Sequence, residues 1–439
     1  MTPVELLQAL LRIDSTNPPG NERPAAELLE SHLSGAGLKC EIYRSPGGRP
    51  NLVARLEGPT DRAALVLLSH TDVVPVEPDK WTRDPFGGEV HDGHVYGRGA
   101  LDMKGIAAMH AAAVSTLTHS DAGPGREVIV CAVADEETGG RQGAGWLVDE
   151  HGDAVGLSDG RPPPEVLGEG GYGLTGILER PVLPIVLGEK SAHWVKLAAA
   201  GQPAHGSMPP QKQAVADLVS VIDSLAGFYA PRVHPIMRDQ LRILAGASSG
   251  SRAAVFRALA SGAGPVVARI LKKRLRAAGT IAALLSDTVT PTMVQAGYKE
   301  NVVPSTASAA LDCRLLPDTD VDAFRGRMEK VAATRGVEVK LPDNRSGPVS
   351  EPGPLYPALT EISARLPQAP VVVPSLTPGF TDVRYFRSRG ATGYGWVPLV
   401  LTPEVFGTIH GHDERVPLAG FEAAVEAMTA AVRRAAATP

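Results

Sequence analysis

The sequence of 439 residues is poor in several features that mark whole classes of protein. Its three cysteines, Cys40, Cys131 and Cys313, lie far apart and form no CxxC pair, which excludes a disulfide framework and a thiolate metal site. Neither sign of charge dominates, because 43 Lys and Arg residues stand against 48 Asp and Glu residues. The net charge of -5 therefore argues against nucleic acid as the main partner.

Long apolar runs are also missing. No stretch reaches the roughly 18 uninterrupted apolar residues of a membrane span, and the N-terminal residues lack the basic start and apolar core of a secretion signal. Together with the scattered cysteines, these absences predict a protein of the reducing cytoplasm, with no transmembrane segment. Hydrophobic residues make up 43% of the chain, so the protein is globular, and its length predicts two or three domains of about 150 residues each.

Two kinds of periodic pattern alternate in the first part of the chain. Short apolar runs lie at 64–68, 128–133 and 166–167, and helical patterns lie between them at 103–117 and 141–151. Strands that are buried on both faces and separated by helices are typical of parallel sheets. The pattern therefore predicts an α/β fold with a central, mostly parallel sheet.

The pattern changes in the middle of the chain. From about residue 190 the order of elements is βαββαβ, and after residue 354 the α/β pattern resumes. We expect a discontinuous first domain of residues 1–189 and 351–439. A ferredoxin-like domain of residues 190–350 interrupts it.

A basic insertion, at about 230–287, lies inside this second domain. Between residues 241 and 286 the sequence has no acid, but it has eight basic residues, Arg242, Arg252, Arg257, Arg269, Lys272, Lys273, Arg274 and Arg276. Val267, Leu271 and Leu275 recur every fourth residue, which predicts a helix with an apolar stripe. The stripe either packs a solvated helix onto the protein or forms a surface that faces lipid or an acyl chain.

Residue types that bind metal ions recur where the predicted strands end, at the edge where open α/β sheets bind ligands. They are His70 with Asp72, Asp102, Glu136 with Glu137, Glu169, and the histidine-containing segment 409–414. Each of these motifs, taken alone, could instead have no role in metal binding. The same residues occur in helix N-caps, in solvated acidic loops and in chance His-x-Asp pairs. Taken together, two histidines and three carboxylates fit a pair of divalent ions, with zinc favoured.

The sequence resembles the co-catalytic zinc peptidase family of aminoacylase, glutamate carboxypeptidase, carboxypeptidase S, acetylornithine deacetylase and succinyl-diaminopimelate desuccinylase. The resemblance rests on motifs in the family's order along nearly the whole chain: Ser69-His70-Thr71-Asp72, Gly97-Arg98-Gly99, Asp102-Met103-Lys104-Gly105, Asp135-Glu136-Glu137, Gly168-Glu169, His205-Gly206-Ser207, Asn301-Val302-Val303-Pro304 and Gly411-His412-Asp413-Glu414. The segment between His205 and Asn301 is longer than in the compact desuccinylases and is more similar to the carboxypeptidase S branch.

The resemblance implies a role for each residue of the centre. Asp102 bridges two metal ions, His70 and Glu169 complete one site, and Glu137 and His412 complete the other. Zinc is the expected metal, with cobalt or manganese as alternatives. Glu136 is then the general base, Asp72 orients His70, and the Asp102–Met103 peptide bond is cis.

The resemblance also implies roles for the second domain, which would be a lid that forms a homodimer. His205 is expected to stabilise the oxyanion. Asn301 and Arg314 are expected to bind the carboxylate of the substrate, because a guanidinium fork suits a planar carboxylate. The alternative for Arg314 is a structural pair with Asp312 or Asp318.

These features predict a metallohydrolase that cleaves an amide bond next to a free carboxylate. Its substrate would be an N-acyl-amino acid or the C-terminal bond of a small peptide. Glu rather than Asp at position 169 resembles deacylases and carboxypeptidases more than dipeptidases, so a dipeptidase is the alternative. A catalytically inactive binding module with the same fold is a further alternative.

Overall fold

The computed structural model describes residues 1–118, 123–228, 231–271, 280–341 and 348–437. It divides into two compact units. The first unit consists of Met1–Gly188, Gly347–Ser375 and Thr381–Pro439, and the inserted unit consists of Glu189–Ser346 and Leu376–Phe380.

The α-helices of the described residues are α1 (Pro3–Leu11), α2 (Arg23–Gly35), α3 (Lys104–Ser115), α4 (Ala144–Glu150), α5 (Ala214–Leu225), α6 (Pro235–Gly246), α7 (Gly250–Ala260), α8 (Gly264–Ile270), α9 (Thr280–Leu284), α10 (Val321–Ala333), α11 (Leu355–Ala364), α12 (Val383–Arg387), α13 (Pro403–Phe406) and α14 (Leu418–Ala437). Short 3-10 turns lie at Pro78–Lys80, Glu136–Thr138 and Gly152–Val155. Across the described ranges, no helix has both the length and the apolar character needed to cross a membrane.

The strands are β1 (Lys39–Arg44), β2 (Pro50–Leu56), β3 (Leu65–His70), β4 (Val90–His91), β5 (His94–Tyr96), β6 (Val128–Val133), β7 (Glu165–Leu174), β8 (Val182–Glu189), β9 (Ser191–Ala200), β10 (Ala204–His205), β11 (Gly227–Phe228), β12 (Thr288–Ala296), β13 (Val302–Val303), β14 (Thr306–Leu315), β15 (Glu338–Lys340), β16 (Val371–Thr377), β17 (Thr392–Leu401) and β18 (Arg415–Pro417).

The main sheet has the strand order β1-β2-β6-β3-β7-β17-β8-β16. Its central strands β6, β3, β7 and β17 run parallel to one another, whereas β2 runs antiparallel to β6, β1 to β2, and β8 to β17. Every residue of β3 and β6 is buried, which explains why their sequences are continuous apolar runs rather than alternating patterns. The predicted α/β fold with a central parallel sheet is confirmed, and the carboxyl ends of β6, β3 and β7 lie at one edge.

Helices cover this sheet with their apolar faces. Residues of α4 and α12, including Leu147 and Phe386, form one buried cluster with β3 and β6. At the start of the chain, Thr2 caps α1 through a reciprocal pair of hydrogen bonds with Glu5, and Pro3 occupies the first turn. This cap orients a helix that buries four leucines, Leu6, Leu7, Leu10 and Leu11.

The inserted unit contains an antiparallel sheet of order β11-β12-β14-β9-β15. Helices α5 and α10 pack on it around a buried cluster that includes Leu218, Leu311 and Met328. Along the chain these elements come in the order β9, α5, β12, β14, α10 and β15. The unit also takes in residues 376–380, which return to it after the first unit has resumed and which no sequence pattern indicated.

The described part of the basic insertion is helical and consists of α6 to α9. Val267 and Leu271 are half-buried, whereas Val266 and Ile270 of the same helix are 61% and 76% exposed. The remaining members of the predicted stripe and basic cluster, Leu275, Lys272, Lys273, Arg274 and Arg276, lie outside the described residues.

Two side-chain contacts fix the base of this insertion. Arg232 Nη2 donates to Asp287 Oδ2 at 3.1 Å, so the two ends of the insertion are joined. Lys190 is fully buried and its ammonium donates to the carbonyls of Ala283 and Ser286, both at 2.9 Å. The insertion is therefore anchored to the sheet of its own unit by charged side chains.

Candidate metal centre

The parallel strands bring distant parts of the chain to one edge of the main sheet. β3 ends at His70, which is in register with Val133, the last residue of β6. The acids that follow β6 begin two residues later, and β7 carries Glu169. The topology therefore places a histidine and carboxylates side by side, at the carboxyl ends of β3 and β6 and in the middle of the neighbouring strand β7.

Asp102 lies between two sets of possible ligands. One oxygen, Oδ1, lies 3.1 Å from His70 Nε2, which is also 3.7 Å from Glu169 Oε2. The other oxygen, Oδ2, lies 3.1 Å from His410 Nε2, which is also 3.4 Å from Glu137 Oε2. Within each set the ligand atoms lie within 4.8 Å of one another, close enough to hold one metal ion.

The structure corrects the sequence prediction for the second histidine. His412 does not reach Asp102; its Nε2 lies 3.0 Å from Glu77 Oε2, and both side chains are exposed. The loop around it turns sharply, since His410 and Asp413 have φ angles of 58° and 53°. In this turn His410 faces Asp102, and His412 faces Glu77.

His410 was missed although the sequence contains it two residues before His412. The resemblance matched the motif Gly411-His412-Asp413-Glu414 and so selected the histidine inside the motif. The sequence does show that two histidines lie in this segment. Either imidazole could supply the second histidine ligand, so His410 was an available alternative to His412.

Burial dominates the electrostatics of the carboxylates. It raises the pKa of Glu169 to about 8, with the charge of Asp102 adding to the effect. It also raises the pKa of Glu137. Asp102 is different, since hydrogen bonds from His410 and His70 outweigh burial and hold its pKa well below the ordinary value. The same contacts with Asp102 and Glu137 raise the pKa of His410 to about 10.

This donor set fits divalent metal ions. Several buried carboxylates in contact would repel one another, which is costly unless a cation lies among them. Glu137 Oε1 is buried and has no hydrogen-bond partner among the described residues, as expected for an oxygen whose partner is an ion. Two imidazoles with three carboxylates are typical of zinc and similar metals.

Asp72 joins His70 to the acidic turn. Its Oδ1 lies 3.5 Å from His70 Nδ1, the ring nitrogen that faces away from Asp102, and its backbone carbonyl lies 3.0 Å from the same atom. The carboxylate also accepts hydrogen bonds from the backbone N–H groups of Glu136 and Glu137, both at 3.2 Å. Asp72 can therefore fix the orientation of His70 and the position of the turn together.

Glu136 and Glu137 point to different places although they are adjacent. Both lie in the 3-10 turn Glu136–Thr138, which begins after Asp135 in the left-handed region, with a φ angle of 72°. Glu137 belongs to the ligand set of His410, whereas Glu136 belongs to neither set. Glu136 is 6% exposed, and burial, reinforced by the charge of Glu169, raises its pKa well above the ordinary value.

The other predicted site residues lie in the inserted unit. His205 is exposed and lies on β10, in register with Val302 of β13, and the carbonyl of Asn301 accepts a hydrogen bond from Gly206 at 2.8 Å. His205 and Asn301 are thus neighbours. Arg314 Nε and Nη2 donate to the two oxygens of Asp312 at 2.8 and 3.1 Å, so Arg314 has the structural partner that the alternative interpretation named.

The sequence profile of peptidase family M20/M25/M40 matches residues 66–434. The chain belongs to this family. The expected resemblance is thereby confirmed, and the protein is a hydrolase, with amidohydrolase or peptidase activity.

Relatives of known sequence and structure extend over nearly the whole chain. Pig aminoacylase-1 is 28% identical over 446 residues, covering 99% of this chain and 96% of its own length. The mouse N-fatty-acyl-amino acid synthase/hydrolase PM20D1 is 28% identical over 369 residues, covering 81% of this chain and 71% of its own length. The crystal structure of an M20 family metallo-carboxypeptidase from Sulfolobus solfataricus has the same fold, with a TM-score of 0.74, 19% identity and 98% of each chain covered.

Proposed function

We propose that this hydrolase uses two metal ions to cleave the amide bond of N-acyl-amino acids. The observation that carries the proposal is the position of Asp102, whose two oxygens each face one imidazole and one further carboxylate. The ligands would be His70, Asp102 and Glu169 for one ion and Asp102, Glu137 and His410 for the other. The substrate class is supported by the similarity to aminoacylase-1 along almost the whole chain.

Zinc is the metal that we propose, with cobalt or manganese as alternatives, because the donor set combines imidazoles with carboxylates. When bound, a pair of such ions lowers the pKa of water towards neutrality and polarises the carbonyl that is attacked. Removal of the ions with a chelator should abolish turnover, and zinc should restore it.

The protein itself supplies the proton transfers. Glu136 is buried, directly precedes the ligand Glu137, belongs to neither ligand set, and has a raised pKa. Its carboxylate would accept the proton of the attacking water and then donate it to the nitrogen of the leaving amino acid. Asp72 would keep Nε2 of His70 free to bind metal by holding the other ring nitrogen.

The inserted unit would contribute the polar contacts to the substrate. His205 is exposed and would donate to the oxyanion that develops on the carbonyl oxygen. Asn301, its neighbour, would donate to the carboxylate or the carbonyl. Arg314 would contribute to carboxylate binding only by sharing its guanidinium between the substrate and Asp312.

We also propose that the inserted unit forms a homodimer. Residues 290–296 of β12 pair with β14 on one side, and their side chains are exposed. Met293 and Val294 on this strand are each 57% exposed, and Val219 on α5 is 53% exposed. A strand edge with exposed apolar side chains favours pairing with another chain, and a second copy is the simplest partner.

A substrate panel tests the proposed activity. N-acetyl-methionine and N-octanoyl-methionine should be hydrolysed, whereas dipeptides with a free amino terminus should be poorer substrates by at least about tenfold in kcat/KM. A Glu136→Gln variant loaded with the same metal gives the background rate. A preference for dipeptides would instead support the dipeptidase alternative, and metal binding without turnover of any substrate would support an inactive module.

A further inference from the structure

The carboxylate of Glu414 is a fully buried charged group near the metal centre that the proposed reaction does not use. Glu414 is fully buried and follows His410 by four residues. Its Oε1 accepts hydrogen bonds from the backbone N–H groups of Leu101 at 2.8 Å and Asp102 at 3.1 Å, and its Oε2 accepts one from Gly99 at 3.1 Å. Glu414 therefore holds the backbone of the turn that ends at Asp102.

Arg98 completes the connection between the two loops. It is 2% exposed, its Nη1 donates to Glu414 Oε2 at 2.6 Å, and its Nη2 donates to the carbonyl of Gly411 at 2.8 Å. Gly411 is the residue directly after His410. The guanidinium and the carboxylate thus join the turn before Asp102 to the turn after His410.

The two histidines of the centre depend on this connection to different degrees. His70 ends a fully buried strand and is 1% exposed, so the sheet itself fixes it. His410 lies in a loop, its side chain is 50% exposed, and its φ angle of 58° is in the left-handed region. A non-glycine residue keeps such a backbone only where its surroundings enforce it. Arg98 supplies that constraint through Gly411.

The pair is not explained by stability alone. A buried ion pair pays for the desolvation of both charges and often adds little net stability relative to apolar residues of similar volume. Here, however, Glu414 accepts three hydrogen bonds from backbone amides of the turn before Asp102, and Arg98 donates to a carbonyl of the loop that carries His410. Groups that orient metal ligands from behind commonly change metal affinity by about 10–100-fold when they are replaced.

We propose that Arg98 and Glu414 are positioning residues that set the affinity of the metal position formed by Asp102, Glu137 and His410. The position formed by His70, Asp102 and Glu169 depends on them much less, because His70 and Glu169 are held by strands β3 and β7. The inference rests on the proposed two-metal centre.

Metal binding by the whole chain tests the inference. We would titrate zinc into the metal-free wild type and the variants Glu414→Gln, Glu414→Leu and Arg98→Met, and measure the bound zinc at fixed free zinc. The wild type should bind two ions. Glu414→Leu and Arg98→Met should retain the tighter ion and bind the other about 10–100-fold more weakly. Glu414→Gln keeps an acceptor oxygen and should fall between them.

The matched control is Glu361→Gln. Glu361 also pairs with an arginine, Arg365, at 2.6 Å, but its side chain is 45% exposed and it lies on α11, which carries none of the proposed ligands. This variant should bind both ions as the wild type does. If Glu414→Leu fails to fold, Glu414→Gln still tests the inference, since its cooperative unfolding can be checked before titration.

Hydrogen exchange of the metal-free proteins provides a second measurement. The amides of Gly99, Leu101 and Asp102 should exchange at least about tenfold faster in Glu414→Leu than in wild type or Glu361→Gln. Equal loss of both ions, or unchanged zinc binding and exchange in a folded Glu414→Leu variant, would overturn the inference alone. A wild type that binds fewer than two ions would contradict the two-metal centre itself, and the inference with it.

Discussion

Asp102 Oδ2 lies 3.1 Å from Nε2 of His410, a residue near the other end of the chain. The contact exists because β3 and the turn after β5 bring the first part of the chain to the sheet edge, where the loop after α13 returns. It makes His410, rather than His412, the imidazole that completes the second set of ligands. The assignment can be tested directly because both histidines can be replaced without altering the core.

We expect His410→Ala to lose one bound zinc ion at concentrations that saturate both sites in the wild type, with at least about 100-fold weaker binding of that ion. His412→Ala removes only a surface pair with Glu77 and should keep both ions and full activity. Zinc content after equilibrium dialysis and kcat/KM distinguish the two variants. Loss of zinc in His412→Ala with normal binding in His410→Ala would restore the assignment made from the sequence.

Glu136 and Glu137 should respond differently to substitution. Glu136→Ala should lower kcat by about two to four powers of ten while the zinc content stays at the wild-type value, because the residue moves a proton and holds no ion. Glu137→Ala should lose zinc. Metal analysis beside steady-state kinetics checks both. The roles are reversed if Glu136→Ala loses metal while Glu137→Ala remains active.

His205 offers a test of whether two subunits share one site. We expect His205→Ala to bind zinc normally but to lose roughly 3 kcal/mol of transition-state stabilisation, as other oxyanion donors do. When it is mixed with Glu136→Ala, activity should reappear if subunits exchange and each site takes its histidine from the partner. Labelled subunits would report exchange independently, and exchange without recovered activity excludes the shared arrangement.

The sequence indicated much of this centre because the ends of buried strands can be predicted from it. His70, Asp102, Glu137 and Glu169 follow apolar runs or a glycine turn, and the topology of a parallel sheet brings such positions together. The orientation of the His410 side chain could not be predicted from the sequence. It depends on a left-handed backbone and on Arg98, which lies far away in the sequence and binds the carbonyl of Gly411.

The sequence left two kinds of partner open for Arg314, a substrate carboxylate or a neighbouring aspartate. Asp312 and Arg314 lie two residues apart on β14, so their side chains share a face of the strand, and this alternation was evident in the sequence. Whether a guanidinium on that face meets its own neighbour or a substrate depends on tertiary packing. The guanidinium of Arg314 lies 5.4 Å from the ring of Phe380. Phe380 belongs to the segment 376–380 of the inserted unit, which no sequence pattern predicted.

Arg314→Ala measures how much of the carboxylate recognition this arginine provides. If it binds the substrate, kcat/KM for N-acyl-amino acids should fall by about one to two powers of ten, in line with roughly 1.5–3 kcal/mol for a charge-assisted pair. The corresponding amides, which lack the carboxylate, should be poor substrates of both proteins. Arg325→Ala is the control, since Arg325 forms a similar pair with Asp322 on α10. Equal losses on acids and amides would leave Arg314 a structural partner of Asp312.

The burial of His110 should make the free energy of unfolding depend on pH. It lies on α3, is fully buried, and neither ring nitrogen has a hydrogen-bond partner among the described residues. Burial lowers its pKa from 6.5 to about 3. Between these values the unfolded chain binds the proton and the folded chain does not, so this group costs stability as the pH falls from 6.5 towards 3.

Replacing His110 with leucine, which has a similar volume and no polar atom, should therefore stabilise the fold. At pH 7 the gain should be about 1 kcal/mol, since a buried polar group without partners is removed. At pH 5 the gain should be larger, because the variant no longer has the proton linkage. Urea denaturation of wild type, His110→Leu and the half-buried control His94→Leu at both pH values would measure it. A gain that shrinks at pH 5 would contradict the lowered pKa of His110, and an equal gain in His94→Leu would show that the gain does not come from the burial of His110.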